Sequence, residues 1–193
     1  EAVVAIDRGA KTVTTALGRR FAYDTLVLAT GSYPYVPPIP GADRPECLVY
    51  RTIDDLGLIR VQAQASRSAA VIGGGLLGLE CANALKHLGL ETHVVEFAPG
   101  LMNVQPDPRG SQFLRRMIEA LDVKVHTGKA TTKIVSGDSH RLKMQFADKG
   151  SLDTDMIAFS AGIRPQDTLA REAGLRVGER GGIPGRDHER SGE

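Results

Sequence analysis

Residues 71–97 run VIGGGLLGLECANALKHLGLETHVVEF, and this stretch decides the fold. A short β-rich run over 68–72 ends on glycines placed as Gly73-x-Gly75-x-x-Gly78. Residues 76–88 are then apolar almost all round, with Gly89 placed to stop a helix. Residues 92–97 form a second β-rich run that carries Glu96 near its end. Strand, glycine turn, helix and strand therefore follow one another, which is the context the glycine spacing needs to carry meaning. Gly73 makes the tight turn, Gly75 lets the backbone approach a diphosphate, and Gly78 lets helix and strand pack closely. Leu76 and Leu77 open the helix, where free N–H groups and the positive dipole end suit phosphate oxygens. Glu96 stands 23 residues beyond Gly73, the spacing that brings a carboxylate to a ribose 2′-hydroxyl, and Phe97 follows it. The ligand class indicated is a dinucleotide.

Outward from this stretch the order over 68–127 is β-α-β-α-β, half of a parallel nucleotide-binding sheet. Asp107 and Pro108 are an N-cap and a first-turn proline. Phe113, Leu114, Met117, Ile118 and Leu121 are expected to form the buried stripe of that helix. Strands are expected at 123–127, 130–135, 141–147 and 152–159, the last of them a core strand, and a short helix at about 166–173. Upstream, Thr52 and Asp55 are a weak capping box for a helix over about 53–65. Residues 33–45, YPYVPPIPGADRP, contain five prolines and are expected to be an extended connector. Residues 2–30 suggest an antiparallel meander, with strands at 3–6, 12–16 and 21–29. The fold class expected is α/β: a Rossmann-like NAD-binding domain, parallel sheet with β-meander, plus a few further strands.

The composition excludes other classes. Twenty-four Lys and Arg balance 23 Asp and Glu for a net charge of +1, and aromatics are 5% with no Trp. No charge excess drives phosphate contacts and no stacking platform serves bases, so nucleic acid is not an expected partner. Cys47 and Cys81 are the two cysteines, spaced unlike a CxxC or a zinc pair, and are expected to be small buried hydrophobes. No metal site is expected. The apolar runs are too short to span a membrane, and no signal-type segment opens the chain, so a cytoplasmic location is expected.

Glu96 bears on nucleotide choice. A carboxylate accepts from ribose hydroxyls and repels a 2′-phosphate, and no Arg or Lys occurs between 97 and 106. NADH is therefore favoured over NADPH, whereas FAD satisfies the same fingerprint. Glu80, in the first turns of the glycine-loop helix, either answers the helix dipole or faces the cofactor's reactive end. Glu91 and His93 are expected at a strand edge or on the surface. No catalytic triad is legible.

Four stretches carry a resemblance: YDTLVLATGSYPYVPPIPG (23–41), VYRTIDDL (49–56), residues 71–102, and FSAGIRPQDTLAREAGL (159–175). Over about residues 2–183 the chain resembles flavoproteins of the pyridine nucleotide-disulfide oxidoreductase superfamily. Within it, VYRTIDDL, GLLGLE and EFAPGLM are most similar to the large subunits of assimilatory NAD(P)H-dependent nitrite reductases. The resemblance implies that Thr30 and Gly31 lie where the chain leaves a FAD domain. It implies that Gly73, Gly75 and Gly78 hold the NADH pyrophosphate and that Glu80 approaches the nicotinamide–flavin region. Glu96 would lie on the adenine ribose, and Ala161 and Gly162 on the nicotinamide side. NADH would reduce FAD by hydride transfer, and electrons would pass to an iron–sulfur centre and siroheme that reduce nitrite to ammonium.

The expected organisation is a partial FAD-domain meander and connector (1–45), an NADH-binding domain (46–165), a return segment (166–183) and a disordered tail (184–193). The family's upstream FAD fingerprint and later glycine–aspartate motif are absent, as are the siroheme and iron–sulfur portions. The chain alone is therefore expected to be inactive. The expected partners are NADH, the rest of a parent polypeptide and, through exposed strands of 1–45, a second copy. Two other readings stay open: an NADH-dependent ferredoxin or rubredoxin reductase, and a non-catalytic dinucleotide-binding module.

Overall fold

A computed structural model describes residues 1–185. The tail expected over 184–193 lies, from residue 186 on, outside the described residues. The chain forms two compact units, one of residues 34–162 and one that gathers 1–33 with the segment after 162.

In the latter unit β1 (Val3–Asp7), β2 (Thr12–Thr15) and β3 (Arg20–Ala22) form an antiparallel sheet in that order. The third strand is shorter than the expected 21–29. After Ala22 the backbone has no regular partner until β4 (Ser32–Pro34).

In the 34–162 unit, β5 (Cys47–Val49) precedes α1 (Ile53–Gln64), β6 (Ser68–Ile72), α2 (Leu76–His87), β7 (Glu91–Val95), α3 (Pro108–Ala120) and β8 (Val123–His126). The chain then makes β9 (Thr131–Ser136), β10 (Leu142–Phe146) and β11 (Ser151–Thr154), an antiparallel meander, and enters β12 (Met156–Phe159). Beyond it, β13 (Ile163–Pro165) pairs with β4, and α4 (Thr168–Glu172) closes the described elements.

The central sheet is parallel, in the order β5-β12-β6-β7-β8. Both faces are covered at its centre, so β6 and β12 are buried along their whole length, while the flanking strands are partly exposed. Alternate side chains divide between two cores, as the two-residue repeat of a strand requires. Ala69, Val71, Met156 and Ala158 point to the helices, where Leu79, Ala82 and Leu85 of α2 and Ile59 of α1 meet them. Ala70, Ile72, Ile157 and Phe159 point to the meander, against Ile134, Leu142, Met144 and Phe146. The α/β architecture is the one expected.

Several local expectations need correction. The strand expected over 152–159 is two strands broken at Asp155. The first half pairs with β10 in the meander and the second with β6 in the main sheet, and at the changeover the Asp155 carboxylate accepts from Arg67 N at 2.7 Å and Ser68 N at 3.2 Å, which fastens the start of β6. The proline-rich stretch is flanked by strand: Ser32–Pro34 pairs with β13, and Cys47–Val49, just beyond it, is a parallel edge strand of the main sheet. In α3 the expected stripe is only partly buried. Leu114 and Ile118 pack inward, while Phe113, Met117 and Leu121 are exposed. His93 is buried and lies stacked on His126 of the next strand, ring centroids 5.3 Å apart. Cys81 is fully buried, but Cys47 only partly. The capping box is complete: Asp55 N donates to Thr52 Oγ1 at 3.2 Å and Thr52 N donates to Asp55 Oδ2 at 2.7 Å. Among the described residues no helix is long and apolar enough to cross a membrane.

Candidate nucleotide-binding site

The sheet order positions the site. From β6 the chain proceeds to β7 and β8 on one side, and the remaining strands, β12 and β5, lie on the other. β6 is thus the switch point of the topology, and the crevice beyond the carboxyl ends of such strands is where nucleotides bind in open α/β sheets. Three turns meet there: 73–75 after β6, 96–98 after β7 and 160–162 after β12. They are tied together by Gly73 N to Val95 O (2.9 Å), Ser160 N to Ile72 O (2.9 Å) and Met102 N to Gly74 O (2.8 Å).

The glycines differ in what constrains them. Gly73 has φ +121°, and a Cβ there would come within 2.7 Å of the Ser160 carbonyl carbon. Gly78 lies on the floor of the same turn, its Cβ position 2.9 Å from the Gly73 carbonyl carbon. These two are required by packing. Gly75 is the contrast: it is the N-cap of α2 with ordinary φ −81° and ψ −178°, and a Cβ there would meet nothing within 4 Å. No side chain caps this helix. Its first N–H groups thus lie beside an open flank that the protein leaves unfilled, the arrangement that admits an anion.

Glu96 faces the same turn. Its Oε2 accepts from Gly74 N at 2.5 Å and its Oε1 from Ala98 N at 2.7 Å. Each oxygen thus holds one bond, and a carboxylate can accept about four. The remaining lone pairs can take two ribose hydroxyls. The site requires the middle glycine too, since a Cβ on Gly74 would lie 2.7 Å from Leu101 and 3.1 Å from Glu96.

A cleft of about 410 Å³ in the other unit is lined by Arg164, Asp167 and Arg171. The cleft at the switch point is larger, about 610 Å³. Of the candidates named from sequence, Gly73, Gly75, Glu96, Phe97, Ala161 and Gly162 line it. Leu76 and Leu77 stand exposed in the first turn of α2 and Gly78 is buried beneath it. Glu80 is exposed on α2 and does not line the cleft. Thr30 and Gly31 belong to the other unit, where Thr30 Oγ1 donates to Gln166 O at 2.6 Å and Gly31 O accepts from Gln166 N at 2.9 Å. Sequence reasoning missed two walls: Tyr35, Pro37 and Ile39 from the connector, and Lys129, Ala130 and Thr131 from the β8–β9 turn. Gly128 at the end of β8 was the available signal for the second, because every strand of this sheet delivers its carboxyl end to the same rim.

A family model described as pyridine nucleotide-disulphide oxidoreductase matches residues 1–191. The chain belongs to that family. It is 61% identical over 183 residues to the nitrite reductase [NAD(P)H] large subunit of Klebsiella oxytoca, which covers 95% of this chain and 19% of that protein. It is 53% identical over 184 residues to the nitrite reductase (NADH) large subunit of Escherichia coli, covering 95% of this chain and 22% of that protein. The chain thus spans about a fifth of the length of these relatives. Among solved structures, the NAD-dependent persulfide reductase from A. fulgidus superposes with TM-score 0.90 at 30% identity, over all of this chain and 36% of that one. The names of these two relatives give NAD(P)H and NADH as their nucleotides, and a solved structure from Desulfovibrio vulgaris, similar at 33% identity with TM-score 0.81, is named a FAD-dependent pyridine nucleotide-disulphide oxidoreductase.

Proposed function

We propose that this chain binds NADH and presents it for hydride transfer, in a whole protein that reduces nitrite to ammonium. The observation that carries the reading is the open flank of Gly75 beside the Glu96 carboxylate at the switch point of the sheet. The α2 N-terminus would receive the diphosphate, with Leu76 and Leu77 supplying N–H groups. Glu96 would accept from the adenosine ribose and disfavour a 2′-phosphate through like charge. Tyr35, Pro37, Ile39 and Phe97 give the cleft an apolar wall for the base. Ala161 and Gly162 would border the nicotinamide half, where the absence of bulky side chains leaves the ring unobstructed.

A flavin, when bound, would supply the acceptor for the hydride. Thr30 and Gly31 are the residues of this chain nominated to border it, and their polar groups are already joined to Gln166. They do not form a cradle, so the flavin would be held by the rest of the parent polypeptide. The unit that gathers 1–33 leaves Val3, Val4, Phe21 and Val27 exposed, which supports its being covered by that remainder or by a second copy. The identities of 61% and 53% over 95% of the chain favour nitrite as final acceptor, and a cytoplasmic location, where NADH is supplied, fits that reading.

Calorimetric titration of the chain with NADH, NADPH and FAD tests the reading. NADH should bind most tightly, and Glu96→Ala should weaken it about tenfold, the loss of one or two hydrogen bonds to a charged group. NADPH binding more tightly than NADH would refute the role given to Glu96. For the parent protein, ammonium formation from nitrite must depend on NADH.

A further inference from the structure

We propose that Lys129, neutralised by Asp148, sets how strictly the cleft excludes a 2′-phosphorylated nucleotide. The inference rests on the nucleotide reading above and adds a specificity device to it. Among the described residues that line the cleft, Lys129 is the one cation and Glu96 the one anion. The two are joined through the backbone, Lys129 N donating to Glu96 O at 2.9 Å. The lysine stem therefore starts beside the residue assigned to the ribose, on the turn after β8.

Its ammonium is held by the β10–β11 turn. Nζ forms an ion pair and hydrogen bond with Asp148 Oδ2 in the β10–β11 turn and lies 5.6 Å over the Phe146 ring. Asp148 Oδ1 is engaged separately, accepting from Gly150 N at 3.0 Å, which fixes the carboxylate in its turn. With Lys129 paired to Asp148, the charge left to face a ribose is that of Glu96, and a phosphate there meets repulsion. With Asp148 neutral, the same ammonium is free on a flexible four-carbon stem to meet a 2′-phosphate. Selectivity in this cleft thus depends on a carboxylate that never touches the nucleotide, acting by cancelling the cation that would accept the wrong one.

The test compares the full chain, Asp148→Asn, Lys129→Gln and the double variant, each titrated calorimetrically with NADH and with NADPH. Asn can still accept from Gly150 N, so the turn is kept. Asp148→Asn should raise the NADPH-to-NADH affinity ratio by about tenfold at low salt, and the gain should shrink as ionic strength rises. Adding Lys129→Gln should return the ratio to its starting value. An unchanged ratio in Asp148→Asn, or a gain that survives Lys129→Gln, overturns the proposal. Failure of the underlying site reading looks different: NADH then does not bind the unmodified chain, or binds it indifferently to Glu96→Ala.

Discussion

Gly75→Ala separates a nucleotide loop from a merely tight turn, because the same substitution has opposite consequences at neighbouring glycines. At Gly75 the backbone is at φ −81° and ψ −178°, open to any L-residue, and a Cβ meets nothing within 4 Å. Replacing Gly by Ala at a compatible site stabilises by about 0.4–1 kcal/mol through the unfolded chain. Against this, Ala is a poorer N-cap than Gly by roughly the same amount. The two offset, so folding stability should change by less than about 1 kcal/mol, a melting shift within about 4 °C for a chain of this size. NADH affinity should nevertheless fall at least about tenfold, or roughly 1.4 kcal/mol, because the new methyl occupies the space a diphosphate needs beside the α2 N-terminus. Gly78→Ala is the control. Its Cβ would lie 2.9 Å from the Gly73 carbonyl carbon and closer still to the oxygen. Such overpacking costs about 1–3 kcal/mol, and the melting temperature should drop by several degrees. Differential scanning fluorimetry and calorimetry on the two variants decide the matter. If Gly75→Ala binds NADH like the unmodified chain, the open flank is not the diphosphate site. If it melts as low as Gly78→Ala, the flank is not open.

Acid should weaken the 34–162 unit through the stacked histidines. Burial, with His126 and Lys124 nearby, pushes His93 from 6.5 down to about 4, while Glu91 opposes the shift; burial also lowers His126, helped by Lys129, Arg115 and Lys124. The unfolded chain then binds more protons than the folded one, so the contribution is complete above about pH 6.5 and is lost as pH falls towards 4, on the order of 3 kcal/mol for His93. Urea melts from pH 7 to 4.5 should show the decline, and His93→Gln should flatten it; an equal decline in the variant would refute the assignment. Both cysteines should resist thiol reagents at pH 8, since burial pushes the Cys47 thiol up to about 11 and that of Cys81 up to about 12. A colorimetric thiol titration should register Cys81 only on unfolding, and rapid native labelling of it would contradict its burial.

What was legible in the sequence was local. The glycine spacing, the capping box at Thr52 and the Asp107-Pro108 start are each set by residues within a few positions of one another, and α2 and α3 begin where those signals place them. What was not legible depends on pairing between distant segments. Cys47–Val49 is a strand because β12, more than a hundred residues later, offers it a parallel edge. The β-rich run over 152–159 divides at Asp155 because its first half pairs with β10 and its second with β6. Lys129 joins the cleft because β8 ends at the same rim as β7, a fact of sheet order that no spacing in the sequence records.

The misjudged face of α3 shows why hydrophobicity alone was a poor guide there, and what the true face does. The inward row is Ser111, Leu114, Arg115 and Ile118, a helical repeat rotated from the Phe113–Met117–Leu121 row. Two of its members are polar, and each is accommodated by hydrogen bonding. Arg115 donates to Val125 O at 3.2 Å and Thr127 Oγ1 at 3.3 Å, and Ser111 Oγ donates to Leu101 O at 2.9 Å. A polar side chain such as Ser111 can be buried when its partner is supplied, so an apolar count gets Leu114 and Ile118 right but rotates the rest of the stripe outward. The Ser111 bond also has a consequence at the cleft. Leu101 is fully buried, and the next residue, Met102, donates from its N–H to Gly74 O. The segment that follows Glu96 is thus held at one end by its own carboxylate bonds to Gly74 and Ala98 and at the other by α3 through Ser111. A polar residue on the inward face, Ser111, thus helps keep the acidic residue aimed at the glycine turn.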